Sequence, residues 1–496
     1  MEFLLAIDQG TTGTTAALIT LNDFHLAAKV NKEYPQIYPS PGLVEHNLND
    51  IWKSVEVCVK ECLLKANAKA SSIKAIGLTN QRETTCAFDK QGTPLANAIV
   101  WQDRRTHDHC LKLKEQKLEE KIKSLTGLPL DPYFSATKMH WLLKNNDQVK
   151  QAAKSKDLCF GTIDTFLLYK LTNGNSYFTE GSNASRTLLM DLETCQWSDE
   201  LLKIFEIDRS LLPTIKDSFG KFGETSGLRF LPDGIPITGI LGDQQSALFG
   251  QAGITSGDMK CTYGTGAFLL LNTAQKKIMS QNGLLTTIAF LKDGKPAYAL
   301  EGSCYIAGAA VQWFRDNLGL ISESSAIESL AYKVKNLDEM KNLLFLPFFT
   351  GLGSPYWISD GQAAFVGLTR DTDKPHLARA CLDGMALSIN DLIEAMREDT
   401  KLTINSLNVD GGAVQNDLLL TIQASVSGVS IVRPLIIETT AYGAALAAAV
   451  GAGLFDLDQM KSLWKEDKTF KPDSSLLSFY KLKKEQWKTI IKKLYL

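Results

Sequence analysis

Residues 3–20, FLLAIDQGTTGTTAALIT, decide the architecture of this chain. Two apolar runs, FLLAID and TAALIT, flank the turn QGTTGT and read as the strands of a tight hairpin. A third apolar run, HLAAKV, follows from His25. The same grammar returns past the middle of the chain. There PITGILGD is a strand ending at Asp243, QQSALFGQAG is helix-like, and MKCTYGTGAFLLLNT again sets a Gly-Thr turn between two apolar runs. A third Gly-rich turn, VDGGAVQND, leads into the helix-like DLLLTIQASVSG. This internal symmetry implies two related α/β halves that meet near residue 250 and leave a cleft between them. Between the two hairpins, a helix opened by Asn49 or Asp50 shares Ile51, Val55, Cys58, Val59, Cys62 and Leu63 on one face. IKAIGLT reads as a buried strand ending at Asn80, and AIVW as a shorter one ending at Trp101.

Composition bounds the function. At 496 residues the chain exceeds what one hydrophobic core fills, so two large domains are expected, 1–250 and 251–496. A formal net charge of −2 gives no basis for nucleic acid or an acidic membrane as partner. Nine cysteines without a CxxC pair fit a reducing, cytoplasmic setting. The uncharged stretch from Thr439 to Phe455 falls short of a membrane span of about 18 residues and is rich in Ala and Gly, so it reads as a close-packed internal helix with no membrane insertion. The basic C-terminal segment KLKKEQWKTIIKKLYL reads as a solvated terminal helix.

The turns point to phosphate chemistry. No GxxxxGK[ST] sequence is present, so a P-loop is excluded. Gly10, Thr11, Thr12 and Gly13, and again Gly264, Thr265 and Gly266, supply backbone N–H groups and hydroxyls that either cradle phosphates or simply turn a hairpin. Asp8, at a strand end beside the first turn, suits Mg²⁺ held through water. Asp243 ends an apolar strand, where it either accepts a substrate hydroxyl proton or caps the next helix. In NQRET, Arg82 and Glu83 offer donors and acceptors for vicinal hydroxyls, or form a surface ion pair. Trp101 lies against a small carbon skeleton or packs in the core. THDHC, residues 106–110, is not a metal site, because in a helix His107 and His109 point about 200° apart.

DQGTTGT, PGLVEHN, NQRETT, WQDRRT, GDQQSALFGQ, TYGTGAF, GLGSPYW, VDGGAVQN and TAYGAA stand here in the order in which they occur in the FGGY carbohydrate kinases, which the chain resembles from about residue 3 to residue 450. NQRET together with GDQQ and TYGTGAF is similar to the glycerol-phosphorylating branch of that family. The resemblance implies two ribonuclease-H-like domains of the actin and hexokinase type flanking a catalytic cleft. It implies ATP-dependent phosphorylation of glycerol to sn-glycerol 3-phosphate, with ATP as co-substrate, Mg²⁺ as cofactor and Asp243 as general base. By similarity, Arg82, Glu83, Tyr133, Asp243 and Gln244 bind the glycerol hydroxyls, and Trp101 and Phe268 pack on its carbons. Thr11, Thr12, Gly13, Thr265, Gly308, Gln312, Gly412 and Asn416 form the nucleotide site, with Mg²⁺ held through water near Asp8 and Asp243. Relatives form dimers or tetramers, so a homodimer is expected. The alternatives are a kinase for another small polyol or sugar of the same family, and a weakly active actin-like ATPase.

Two departures from the family pattern bear on function. Thr15 stands where members usually carry Arg, a cation placed to neutralise the transferring phosphoryl group. Either another cation, such as Arg104 or Arg105, takes over that charge, or turnover is slower or the preferred substrate differs. The segment GETSGLRFLPDG replaces a Gly-rich loop that binds fructose 1,6-bisphosphate in some relatives, and no His lies between His140 and His376 to be phosphorylated. Neither form of control is expected.

Overall fold

The computed structural model describes residues 1–358 and 360–496. Two mixed sheets organise the chain. The first contains β1 (Phe3–Gln9), β2 (Gly13–Thr20), β3 (Leu26–Glu33), β4 (Ile73–Asn80), β5 (Phe219–Glu224) and β6 (Pro236–Gly242), in the order β5-β6-β4-β1-β2-β3. The second contains β7 (Met259–Tyr263), β8 (Ala267–Ala274), β9 (Leu285–Lys292), β10 (Lys295–Cys304), β11 (Ser406–Asp410), β12 (Ser430–Pro434) and β13 (Glu466–Phe470), in the order β9-β10-β8-β7-β11-β12-β13.

The internal repeat is present in all six strands of the first sheet, and the second adds β9 at its edge. In the first sheet β1, β2 and β3 are antiparallel neighbours, β4 and β6 add in parallel beside β1, and β5 closes the edge antiparallel. In the second, β7, β8 and β10 play the antiparallel part, β11 and β12 the parallel part, and β13 the antiparallel edge. Parallel neighbours require a crossover, and helices supply it. One such helix is α1 (Leu48–Lys65), whose buried face carries the six residues expected. Its cap is Asn47, two or three positions earlier than the sequence indicates, and the Asn47 side chain accepts from Asn49 N–H at 2.9 Å. The expected strand AIVW shrinks to a two-residue pairing, Ala98–Ile99, because the chain turns at Val100 to place Trp101 and Asp103.

Among the remaining helices, α2 (Asp243–Gly250) follows β6, α3 (Gly308–Asp316) follows β10, and α4 (Lys374–Thr400) and α5 (Asp417–Ser427) pack on the second sheet. The uncharged run forms α6 (Thr439–Gly451), buried along most of its length. It lies against β1, β4 and β6 of the first sheet and against α2. Glycines permit this approach. A Cβ on Gly77 of β4 would sit 1.9 Å from the Ala444 carbonyl oxygen, and one on Gly443 would sit 1.9 Å from that of Ser246 in α2.

The terminal helix, α7 (Leu477–Leu494), is not simply solvated. Its Tyr480, Lys483, Trp487 and Ile491 are buried. Lys483 Nζ donates to Asp383 at 2.5 Å and Trp487 Nε1 to Asp391 at 2.7 Å, both on α4. The sequence signal misleads here because the lysines outnumber the buried residues, yet one lysine is itself inside and paired.

Candidate active site

The segment 80–85 follows β4 in a strained turn. Thr84 N–H bonds the Arg82 carbonyl at 2.7 Å, and Glu83 is left-handed at φ +62°. The Ser135 hydroxyl pins the Glu83 carbonyl at 3.0 Å. Arg82 and Glu83 are both buried and pair with other groups, not with each other, so they form no surface ion pair. Arg82 Nε lies 3.1 Å from Asp243 Oδ1, which also accepts the Gln244 N–H at 2.7 Å. Asp243 is the first residue of α2 and remains partly exposed. It begins the helix while part of its carboxylate stays open to solvent.

Trp101 and Tyr133 meet edge to face with ring centroids 5.5 Å apart. Burial, and then the Glu83 charge, push the Tyr133 phenol well above its ordinary range, so it stays a neutral donor. Trp101 Nε1 donates to Thr11 Oγ1 at 2.9 Å, which joins this aromatic platform to the first Gly-Thr turn. That turn is closed by Gly10 N–H to the Gly13 carbonyl at 2.9 Å. Gly13 is required, because a Cβ there would lie 2.7 Å from the Lys32 carbonyl oxygen. Thr12 is exposed beside it.

The second turn closes in the same way, with Gly264 N–H to the Gly266 carbonyl at 2.9 Å. Gly308, at the start of α3, donates its N–H to the Gly264 carbonyl at 2.9 Å, and Ala307 donates to the Thr265 carbonyl at 2.8 Å. Gln312 is exposed one turn along α3. The Gly411–Gly412 turn lies against the end of β7, where a Cβ on Gly411 would meet the Tyr263 carbonyl oxygen at 2.5 Å. Asn416 uses its Oδ1 to cap α5 at 2.8 Å. Thr265, Gly308 and Gly412 are thereby gathered at one end of the second sheet. Phe268 pairs with Ser303, on the sheet face that also carries Lys260 and Glu301. Lys260 Nζ donates to Gln244 Oε1 at 2.5 Å across the two halves.

Two kinds of group escaped the sequence reading. Glu301 and Arg186, both buried, complete a charge network with Arg82 and Glu83. The available signal was a lone acid inside the apolar strand YALEGS, since an unpaired buried charge is too costly to persist. Neither proposed substitute for the Thr15 charge is free. Arg104 is bonded to Asp131 at 2.8 Å, while Arg105 is held by Asp103 and Glu45, each at 2.8 Å. Thr15 itself accepts from Asn31 Nδ2 at 2.9 Å. His109, instead of reaching a metal, stacks on His140 with centroids 4.3 Å apart.

Asp8 fits a cation. Burial, then the charges of Asp243 and Glu438, raise its carboxyl to about 8, with Lys29 offsetting only part. A divalent ion near these carboxylates would remove that conflict.

Models of the N- and C-terminal domains of the FGGY carbohydrate kinases match residues 3–250 and 259–452. The chain belongs to the FGGY family of carbohydrate kinases. Among its FGGY relatives, the glycerol kinase of Bdellovibrio bacteriovorus is 51% identical over 473 residues, 95% of each chain. That of Myxococcus xanthus is 48% identical, again over 95% of each chain. The crystal structure of Plasmodium falciparum glycerol kinase with ADP superposes with a TM-score of 0.91 at 35% identity, covering 100% of this chain and 99% of the other. The xylulose kinase of Lactobacillus acidophilus shares the FGGY fold at a TM-score of 0.88 and 23% identity, over 100% of this chain and 98% of the other.

Proposed function

We propose that this protein transfers the γ-phosphoryl group of ATP to glycerol, giving sn-glycerol 3-phosphate and ADP. The carrying observation is the convergence of Arg82, Glu83 and Asp243 beside the Trp101–Tyr133 platform, which is bonded to the Gly10–Gly13 turn. The full-length likeness to glycerol kinases supports the same acceptor.

In this reading Trp101 and Phe268 hold the carbon chain, while Arg82, Glu83, Tyr133 and Gln244 fix the hydroxyls. Asp243 accepts the proton of the terminal hydroxyl as its oxygen forms a bond to the γ-phosphorus and the bond to the bridging oxygen breaks, releasing ADP. Thr11, Thr12 and Gly13 face the phosphates from one half. Thr265, Gly308, Gln312, Gly412 and Asn416 face the nucleotide from the other. The polyol side and phosphate hairpin fall in 1–250, the nucleotide side in 251–496. Mg²⁺ supplies charge neutralisation for the phosphates, and Asp8 and Asp243 would hold it through water. Among the described residues no three His, Cys, Asp or Glu side chains converge, so phosphate oxygens and water would have to supply the ion's remaining ligands.

No helix among the described residues is long and apolar enough to cross a membrane. All nine cysteines are unpaired and buried, which favours a cytoplasmic setting. We expect a homodimer, to be read by sedimentation.

The test is ADP release with Mg²⁺ and ATP, with and without glycerol, beside Asp243→Asn. Glycerol-dependent turnover that falls by a factor of about 10²–10⁴ in the variant is the expected result. Turnover on a longer polyol and none on glycerol would move the activity to another acceptor.

A further inference from the structure

Glu301 lies on β10, in the C-terminal half, and is buried with the rest of its strand. Its carboxylate accepts from Arg82 twice, Nη1 to Oε2 at 2.5 Å and Nη2 to Oε1 at 2.8 Å. The same Oε1 accepts from Arg186 Nη2 at 3.2 Å. Each arginine then reaches onward. Arg82 Nε faces Asp243 at 3.1 Å, and Arg186 Nε donates to Glu83 Oε1 at 2.6 Å. A single carboxylate from one half thus anchors two arginines of the other, and each arginine carries one of the acidic groups assigned to the acceptor.

Burial pushes the Glu301 carboxyl up, but the charges of Arg186 and Arg82 outweigh it and hold it at about 2, so it remains ionised. The arrangement is poorly explained by stability. Buried ion pairs rarely outperform an apolar core of the same volume. This network even leaves Arg186 Nη1 buried without a hydrogen-bond partner. What it provides is fixed geometry, since bidentate guanidinium–carboxylate contacts define both distance and plane.

We propose that Glu301 is a positioning residue for acceptor recognition, which sets the spacing between Asp243 and Glu83 and so selects compounds with vicinal hydroxyls at that spacing. Glu301 itself touches no substrate. The proposal rests on the polyol-kinase reading of this cleft, and wild-type turnover is measured first so that the two fail separately. Absence of glycerol-dependent turnover in the wild type overturns the glycerol reading, and the variants are then assayed with whichever polyol is phosphorylated.

In Glu301→Gln, which keeps the shape and removes the charge, KM for the polyol rises by about tenfold or more while KM for ATP stays within about twofold. Glu301→Asp, which restores the charge one methylene short, recovers at least part of the polyol KM. Equal shifts in both KM values, or none in either, overturn the proposal. Should Glu301→Gln fail to fold, Arg186→Lys retains the charge but loses the fork. A rise in polyol KM alone then supports the positioning role, and an unchanged polyol KM overturns it.

Discussion

Gly443→Ala tests whether the Asp243 carboxylate is placed by the contact of α6 with α2. The added Cβ would lie 1.9 Å from the Ser246 carbonyl oxygen and 2.9 Å from the Gly250 nitrogen, both backbone atoms of α2. Ordinary contact begins near 3.4 Å, so the helices must part by about 1.5 Å, 3.4 less 1.9. No side-chain rotation relieves a backbone clash, and overpacking of this kind typically costs about 1–3 kcal/mol. Asp243 lies three residues before Ser246 on α2, so the displacement is passed almost directly to it. A misplacement near 1 Å costs on the order of 100-fold in rate. Thermal unfolding and steady-state ADP release on the same preparation measure both effects. The expected result is a lower Tm together with a kcat reduced by about two orders of magnitude. A lowered Tm with full kcat would refute the link between helix spacing and Asp243, and no change in either would refute the close approach itself.

Restoring a cation in Thr15→Arg raises kcat with glycerol by about threefold or more, because Arg104 and Arg105 are committed to carboxylates, and an unchanged kcat shows that Thr15 does not limit the rate. Stability should fall as pH rises through 7. Burial raises the Asp391 carboxyl to about 7, so the folded protein keeps a proton that the unfolded chain loses near pH 4. At about 1.4 kcal/mol per pH unit over that window, the loss from this group is on the order of 4 kcal/mol by pH 8, and Asp391→Asn should lessen the dependence of Tm on pH, leaving the part that Asp8 contributes.

The Gly-Thr turns, the strands beside them and the amphipathic face of α1 depend on neighbours in sequence, and they stand where the pattern put them. Thr439–Gly451 was legible as a packed helix from its lack of charge, but its docking partner was not. A close approach between Gly443 and Gly250 has no local periodicity to announce it. The site divides in the same way. Arg82, Glu83 and Asp243 sit at strand ends, where the chemistry of α/β clefts gathers. Arg186 and Glu301 are joined across 115 residues and work through one another, so composition alone gave no reason to connect them. In α7 the hydrophilic majority hid a buried lysine and tryptophan.

The docking of α6 carries a consequence for biosynthesis. The face formed by β1, β4 and β6 comes from the first half of the chain, yet the helix that covers it is translated some two hundred residues after β6, at 439–451 against 236–242. At ribosomal speeds of about 5–20 residues per second, that apolar surface waits on the order of 10–40 s for its partner. Nascent chains of this protein therefore carry that surface without its helix throughout this interval, and a chain cut short before residue 439 would leave it uncovered.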